Sequence, residues 1–237
     1  MKTSIINQFS KVSSASALAL LSLSLLAASS ASGAVSYFQG TITSASDVLN
    51  TGTLVIATDL GPGAPAVTVN GVAFGADSGV GLTGFVNSNT GVDLSNQFPA
   101  GSPLDQLLSG QDYQAIGLGS SSLTLSGLAP GTSYLFQMFL SNISNNTGKS
   151  SRITIQGQAF NLANYGNDAD YVRAYFTAST STEVVQFGNG SAFETDRMGM
   201  NAFELSANPA PAPEPGTLAF STLAAALALA ARRMKKV

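Results

Sequence analysis

Two of the side chains that most often carry catalysis or hold a transition metal are missing: the 237 residues contain no His and no Cys. That excludes a Ser-His-Asp triad, a Cys nucleophile, a disulfide and any imidazole or thiolate zinc site. Carboxylates, amides, hydroxyls and tyrosines remain, and they gather most densely in Asn164 to Asp170, NYGNDAD. Asp168 and Asp170 stand two apart, and Asn164 and Asn167 add carbonyl oxygens. Calcium takes such ligands, so Asp168 and Asp170 are the candidate ligands of a structural calcium; the stretch lacks the calcium-loop pattern that closes on a bidentate Glu, and a solvated turn accounts for it equally. No other cofactor is expected. Tyr165, Tyr171 and Tyr175 offer faces on which sugar rings could stack, with Asn164, Asp170 and Arg173 nearby in sequence. The chain has no Trp, the best such platform, and alternating tyrosines on a strand also serve cross-strand packing. A glycoside hydrolase would need two opposed carboxylates, one with a raised pKa. Here the acids sit mostly in Asp-containing loops and nothing marks a cleft, so no catalytic residue is assigned and no enzyme is expected.

These groups must be positioned by the stretch from Val35 to Ala207. It carries four basic residues against twelve acidic ones, a net of −8. Nucleic acid is thereby excluded as a partner, because phosphate neutralisation needs Lys and Arg. Short β-type runs recur between turn signals. Thr53–Thr58 is rich in β-branched residues, and Asn70-Gly71 between Val67-Thr68-Val69 and Val72-Ala73-Phe74 is a type I′ hairpin signal. Ser122–Ser126 and Arg152–Gln156 alternate. Ser133–Ser141 is apolar on both faces, as a central strand would be. Tyr171–Thr177 sets Val172, Ala174 and Phe176 against Tyr171, Arg173 and Tyr175. Glu183–Phe187 and Met200–Leu205 complete eight to ten predicted strands. One short helix is predicted, with Ser102 as N-cap, Pro103 in the first position, Leu104, Leu107 and Leu108 on one face and Gly110 as the stop. The fold class expected is all-β, a single antiparallel β-sandwich of jelly-roll type.

The two ends read as addresses. In residues 1–34, Lys2 and Lys11 precede the apolar run Ala17–Ala28, and small residues follow. This is a secretory signal peptide, cleaved after Ser32-Gly33-Ala34 or after Ser29-Ser30-Ala31. In 208–237, the proline-rich Asn208–Pro215 leads to the uncharged, mostly apolar stretch 216–231 and then to Arg232, Arg233, Lys235 and Lys236. Sixteen helical residues reach about 24 Å of a ~30 Å hydrocarbon core, and flanking Arg and Lys can snorkel over the difference. A basic cluster at this end prefers the cytoplasm and places the body outside, as the N-terminal signal does.

Pro213-Glu214-Pro215, the apolar span and the basic cluster 232–236 together resemble the PEP-CTERM sorting signal of Gram-negative bacteria. The resemblance implies export by translocon and signal peptidase, a transient hold in the inner membrane, and processing by an exosortase, a membrane cysteine protease. It implies a destination at the cell surface or in extracellular or biofilm matrix. Leu125–Tyr134, LSGLAPGTSY, is similar to the corner of fibronectin type III modules, with Leu128 filling the core and Tyr134 bonding back to backbone. The strands that follow look like a galactose-binding-like jelly roll. A structural or adhesive matrix protein is the expectation, a carbohydrate-binding module holding exopolysaccharide the alternative, and a secreted glycoside hydrolase a third, weaker one.

Overall fold

The computed structural model describes residues 33–61, 63–76, 81–88, 97–114, 121–141, 151–162, 168–188 and 198–210. The signal peptide ahead of Gly33, the Pro213-Glu214-Pro215 motif, the span 216–231 and the basic cluster lie outside the described residues, as does Tyr165. Among the described residues, no helix is long and apolar enough to cross a membrane.

Two five-stranded antiparallel sheets form a sandwich. Sheet A runs in the order β1 (Ser36–Thr41), β12 (Asp170–Thr177), β9 (Ser133–Leu140), β15 (Ala202–Ala207), β2 (Thr53–Asp59). Sheet B runs β11 (Gln158–Leu162), β10 (Ser151–Ile155), β13 (Thr182–Phe187), β8 (Ser121–Ser126), β5 (Leu82–Thr83). A small sheet joins β14 (Gly199–Met200), β7 (Gln111–Gln114) and β6 (Phe85–Ser88), and β3 (Val67–Val69) pairs β4 (Val72–Phe74) as a hairpin. The all-β antiparallel expectation is met. Alternation decides the inner faces: Val172, Ala174 and Phe176 of β12 meet Leu123 and Leu125 of β8 and Ile153 and Ile155 of β10 in one core. Tyr37 of β1 ties the sheets at their edge. Its hydroxyl donates to the Gln158 carbonyl (2.8 Å) and accepts from the Ile155 amide (3.0 Å).

Local signals folded as their chemistry dictates. Asn70 and Gly71 both take positive φ, 47° and 81°, which a type I′ turn requires. Pro130 and Gly131 turn the chain between β8 and β9, with the Thr132 amide donating to the Ala129 carbonyl (3.1 Å). The buried Tyr134 ring returns its hydroxyl to accept from the Ala129 amide at 2.8 Å. The helix α1 is Pro103–Ser109, and Leu104, Leu107 and Leu108 are its buried residues.

That helix, the β3–β4 hairpin and the loop Ile42–Asn50 cover the outer face of sheet A and build a second core over it. Ile42, Val48, Val69, Val72, Phe74, Phe98, Leu104, Leu107 and Leu108 pack there on Ala57, Phe139 and Ala202 of the sheet. Strand β9 is thus buried on both faces, the reason its sequence runs apolar without alternation. Burial of each leucine contributes about 2 kcal/mol.

The predicted strand Met200–Leu205 is broken. Asn201 stands between β14 and β15, fully buried, and its side chain joins three elements. Its Oδ1 accepts from the Ser141 amide (2.5 Å), and its Nδ2 donates to the carbonyls of Leu108 (2.7 Å) and Gly110 (2.5 Å) at the end of α1. Its own backbone bonds Phe139 and Leu60. Five strands, β1, β5, β6, β7 and β11, have no counterpart among those predicted. Asn201→Ala leaves the Ser141 amide and the Gly110 carbonyl without this partner and the Leu108 carbonyl with the Ser141 hydroxyl alone, and should lower unfolding free energy by about 2 kcal/mol or more, measured by urea denaturation. A loss under about 1 kcal/mol would show that the amide does not hold the helix.

Candidate functional site

Two of the sequence-predicted tyrosines, Tyr171 and Tyr175, lie on the outer face of sheet A as packing elements. Tyr171 is half-buried and carries the Arg173 guanidinium 3.9 Å from its ring centroid. Its ring also lies over Gly40 of β1, where a Cβ would stand 2.5 Å from the tyrosine oxygen and would force the ring to shift. Tyr175 meets Phe38 edge-on at 5.8 Å, and burial raises its pKa. The two predicted calcium ligands are likewise engaged. Asp168 is exposed and accepts from Gln97 Nε2 at 2.9 Å, while Asp170 is buried and accepts from the Thr41 hydroxyl at 3.1 Å. Asn164 and Asn167 lie outside the described residues, and among the described residues no three acidic, His or Cys side chains form a metal-holding group.

The arrangement that sequence reading missed lies over the second core. A pocket of about 340 Å³ opens between the 3₁₀ turn Ala45–Asp47, the β3–β4 hairpin and the entry to α1. Its polar lining is Thr43, Ser44, Thr68, Asn70, Gln97 and Ser102. Its apolar lining includes Val69, Phe98 and Leu104, all buried. Among the described residues, no charged side chain lines it.

Three carboxylates stand behind that wall and fix it. Asp47 Oδ2 accepts from the Thr43 amide (2.8 Å), the Thr43 hydroxyl (3.0 Å) and the Ser44 amide (3.0 Å). Asp105 Oδ2 accepts from the Gly101 amide at 2.7 Å, and the Asp105 amide donates to Ser102 Oγ at 3.3 Å. Asp168 holds Gln97, whose Oε1 also accepts from the Ala169 amide at 3.2 Å. Asn70 Nδ2 donates to the Val48 carbonyl at 2.7 Å. Two of these units share one local signature, Ser-x-x-Asp at Ser44–Asp47 and at Ser102–Asp105, each opening a helical turn. That repeated signature was the available signal.

A second feature spans the same face. Phe38, Arg173, Gln137, Glu204 and Ala57 form one register row across all five strands of sheet A. Gln137 accepts from the Leu49 amide (3.0 Å) and donates to the Asp47 carbonyl (2.6 Å), and Arg173 donates to that same carbonyl (2.6 Å). In the adjacent row Asp59 pairs Ala202, so Asp59 and Glu204 are diagonal neighbours on one face, their Cα atoms about 7–8 Å apart. Both are 0% exposed, and none of their carboxyl oxygens has a hydrogen-bond partner among the described residues. Neither lines the pocket. A raised carboxyl pair is what a glycosidase would use, but this one is fully buried.

No family model matches the chain, and no curated protein matches it. Solved structures resemble it in architecture. The ANX1 ectodomain from Arabidopsis thaliana gives a TM-score of 0.49 at 11% identity, over 67% of this chain and 42% of that one. The plant receptor-like kinase ANX2 gives 0.48 at 13% identity, over 65% and 42%. A ruminal GH26 endo-beta-1,4-mannanase gives 0.32 at 12% identity, over 43% and 20%. The chain thus spans about two fifths of the length of the ANX1 and ANX2 structures. At these values the likenesses bear on neither ligand nor activity.

The acids of the buried face set the pH response. Burial raises Glu204 from 4.5 to about 8, with the Arg173 charge pulling the other way. Burial raises Asp59 from 3.8 to about 8; the Leu60 amide beside it offsets only part, being committed to the Asn201 carbonyl at 2.7 Å. Each group keeps a proton in the folded chain at a pH where the unfolded chain has released it. Their contribution to stability is therefore complete below about pH 4 and is lost as pH rises towards 8. Asp47 acts in the opposite sense. Burial would raise it, but the Thr43 and Ser44 donors and the Arg173 charge outweigh burial and hold it below 3.8, so its contribution is lost on acidification. Unfolding free energy should fall from pH 5 to pH 8 by about 1.4 kcal/mol per pH unit for each buried acid. In Glu204→Gln about half of that slope should vanish; urea titrations with equal slopes in both proteins would remove Glu204 as a source.

Proposed function

We propose that the protein is exported, processed by an exosortase near Pro213 and retained at the cell surface or in extracellular matrix, where the β-sandwich has a structural or adhesive role. The observation that carries this reading is the C-terminal order of Pro213-Glu214-Pro215, sixteen uncharged residues and the cluster Arg232, Arg233, Lys235, Lys236. A single element of that order would mean little; a helix-length apolar span with a cytoplasm-preferring basic end is a membrane stop. The geometry accords with removal of that end. The last strand finishes at Ala207, and the Asn208 amide makes the closing bond, to the Ser133 carbonyl at 2.8 Å. A cut at Pro213 leaves every described residue of both cores in place. Signal peptidase, the export translocon and the exosortase are then partners in transit, and the inner membrane a temporary station. No catalytic role is proposed: among the described residues, the carboxyl pair with raised pKa, Asp59 and Glu204, is fully buried.

The second reading is a carbohydrate-binding module that holds exopolysaccharide, and the neutral pocket over the second core favours it. Mass spectrometry of the exported protein should show both ends gone: the residues up to Ala31 or Ala34, and those from near Pro213 onward. A Pro213→Ala, Glu214→Ala double variant should stay in the membrane fraction with Lys236 retained. Recovery of the wild-type protein outside the cell with Val237 in place would refute processing.

A further inference from the structure

We propose that the pocket between the 3₁₀ turn, the β3–β4 hairpin and the entry to α1 binds a neutral hexose unit of a polysaccharide. The proposal rests on the carbohydrate-binding reading and assigns it a place and a ligand charge. The described part of the Val35–Ala207 body is rich in acids, yet none of the twelve lining residues is charged. Polar and apolar groups divide as a sugar ring divides. Val69, Phe98 and Leu104 give an apolar surface for the C–H face of a pyranose, and Thr43, Ser44, Thr68, Asn70, Gln97 and Ser102 give hydroxyls and amides for its periphery.

The wall is fixed from behind in a way that selects the ligand. The Thr43 hydroxyl donates to Asp47, Gln97 Nε2 donates to Asp168, and Asn70 Nδ2 donates to the Val48 carbonyl. These bonds fix the Thr43, Gln97 and Asn70 side chains, while Ser102 Oγ accepts from the Asp105 amide and keeps its own proton, so the wall offers both lone pairs and donors. Sugar hydroxyls both donate and accept. Asp47, Asp105 and Asp168 place negative charge around the wall while lying outside it. A uronate or phosphate unit would meet repulsion there, offset only in part by Arg173, which bonds the Asp47 carbonyl and is not part of the described lining. The fixed rotamers also lower the ordering cost of binding, as preorganisation does. At about 340 Å³ the volume falls in the lower range of small-ligand sites.

The exported protein should be titrated with maltose, cellobiose, lactose and mannobiose, and with digalacturonate, by saturation-transfer NMR. Two substitutions at exposed lining positions on different elements, Thr68→Arg and Ala45→Arg, block the pocket at residues that belong to neither core. At least one neutral disaccharide should bind, digalacturonate should bind at least tenfold more weakly, and each Arg variant should lose at least tenfold in affinity with an unchanged melting temperature. Binding of no neutral disaccharide, equal binding of digalacturonate, or binding that survives both Arg substitutions would overturn the assignment. Retention of a polysaccharide column equally by wild type and both variants would remove this pocket and leave the carbohydrate-binding reading standing. Retention by none would remove both.

Discussion

One buried amide determines whether the outer face of sheet A can be covered at all. The last carbonyls of a helix have no partner within it, and α1 ends with Leu108 buried and Ser109 and Gly110 half-buried. Asn201 answers the Leu108 and Gly110 carbonyls with one nitrogen and the Ser141 amide with its oxygen. Ser141 returns a further bond, its hydroxyl donating to Leu108 O at 2.9 Å. An apolar residue here would leave the Ser141 amide and the Gly110 carbonyl without this partner, each costing about 1–3 kcal/mol. The break between β14 and β15 is what frees this side chain from sheet pairing. Everything built on the helix follows: the three leucines of the second core, and Ser102, Pro103 and Leu104 on the pocket wall.

The covered face carries an unusual mixture of contents. Gln137 sits in the middle of the most apolar strand, and its amide brings in the backbone of Asp47 and Leu49. The loop is thereby seated on the sheet, with Arg173 as a second tie to the same carbonyl. Glu204 and Asp59 have no comparable partner and stay protonated in a dry setting. Replacing such acids with apolar residues often stabilises a fold. Their presence marks a local conflict between burial and charge that the rest of the second core offsets.

What could be read from the sequence was what local chemistry decides. Asn70-Gly71, the Pro130-Gly131 corner with Tyr134, and the Ser102-Pro103 helix start each specify their own backbone, and each formed. The alternation of β8, β10 and β12 fixed their inward faces. What could not be read depends on partners distant in sequence. Strand β7, Gln111–Gln114, has no apolar alternation, so nothing local marks it; it exists because β6 and β14 pair it. Strand β1 is uncharged and aromatic, but its place beside β12 is set by a glycine on which Tyr171 lies. The tyrosines were legible as one strand face. That this face would be half-covered, with Arg173 on one ring and Phe38 against the other, required the register of β1. The pocket was least legible. Its three walls come from loops around Thr43, Asn70 and Ser102, brought together only by the second core, although the repeated Ser-x-x-Asp units hinted at two rigid turns.

The position of β15 in the sheet has a mechanical meaning. It is the last strand before the C-terminal end, and it lies between β9 and β2 with six paired positions on each side. A tether pulling on that end would draw the strand along its own axis, straining both ladders in shear and many bonds at once. An edge strand hauled from its end could instead unzip one bond after another. The topology therefore gives a body that is fastened by its tail the stronger of the two force geometries.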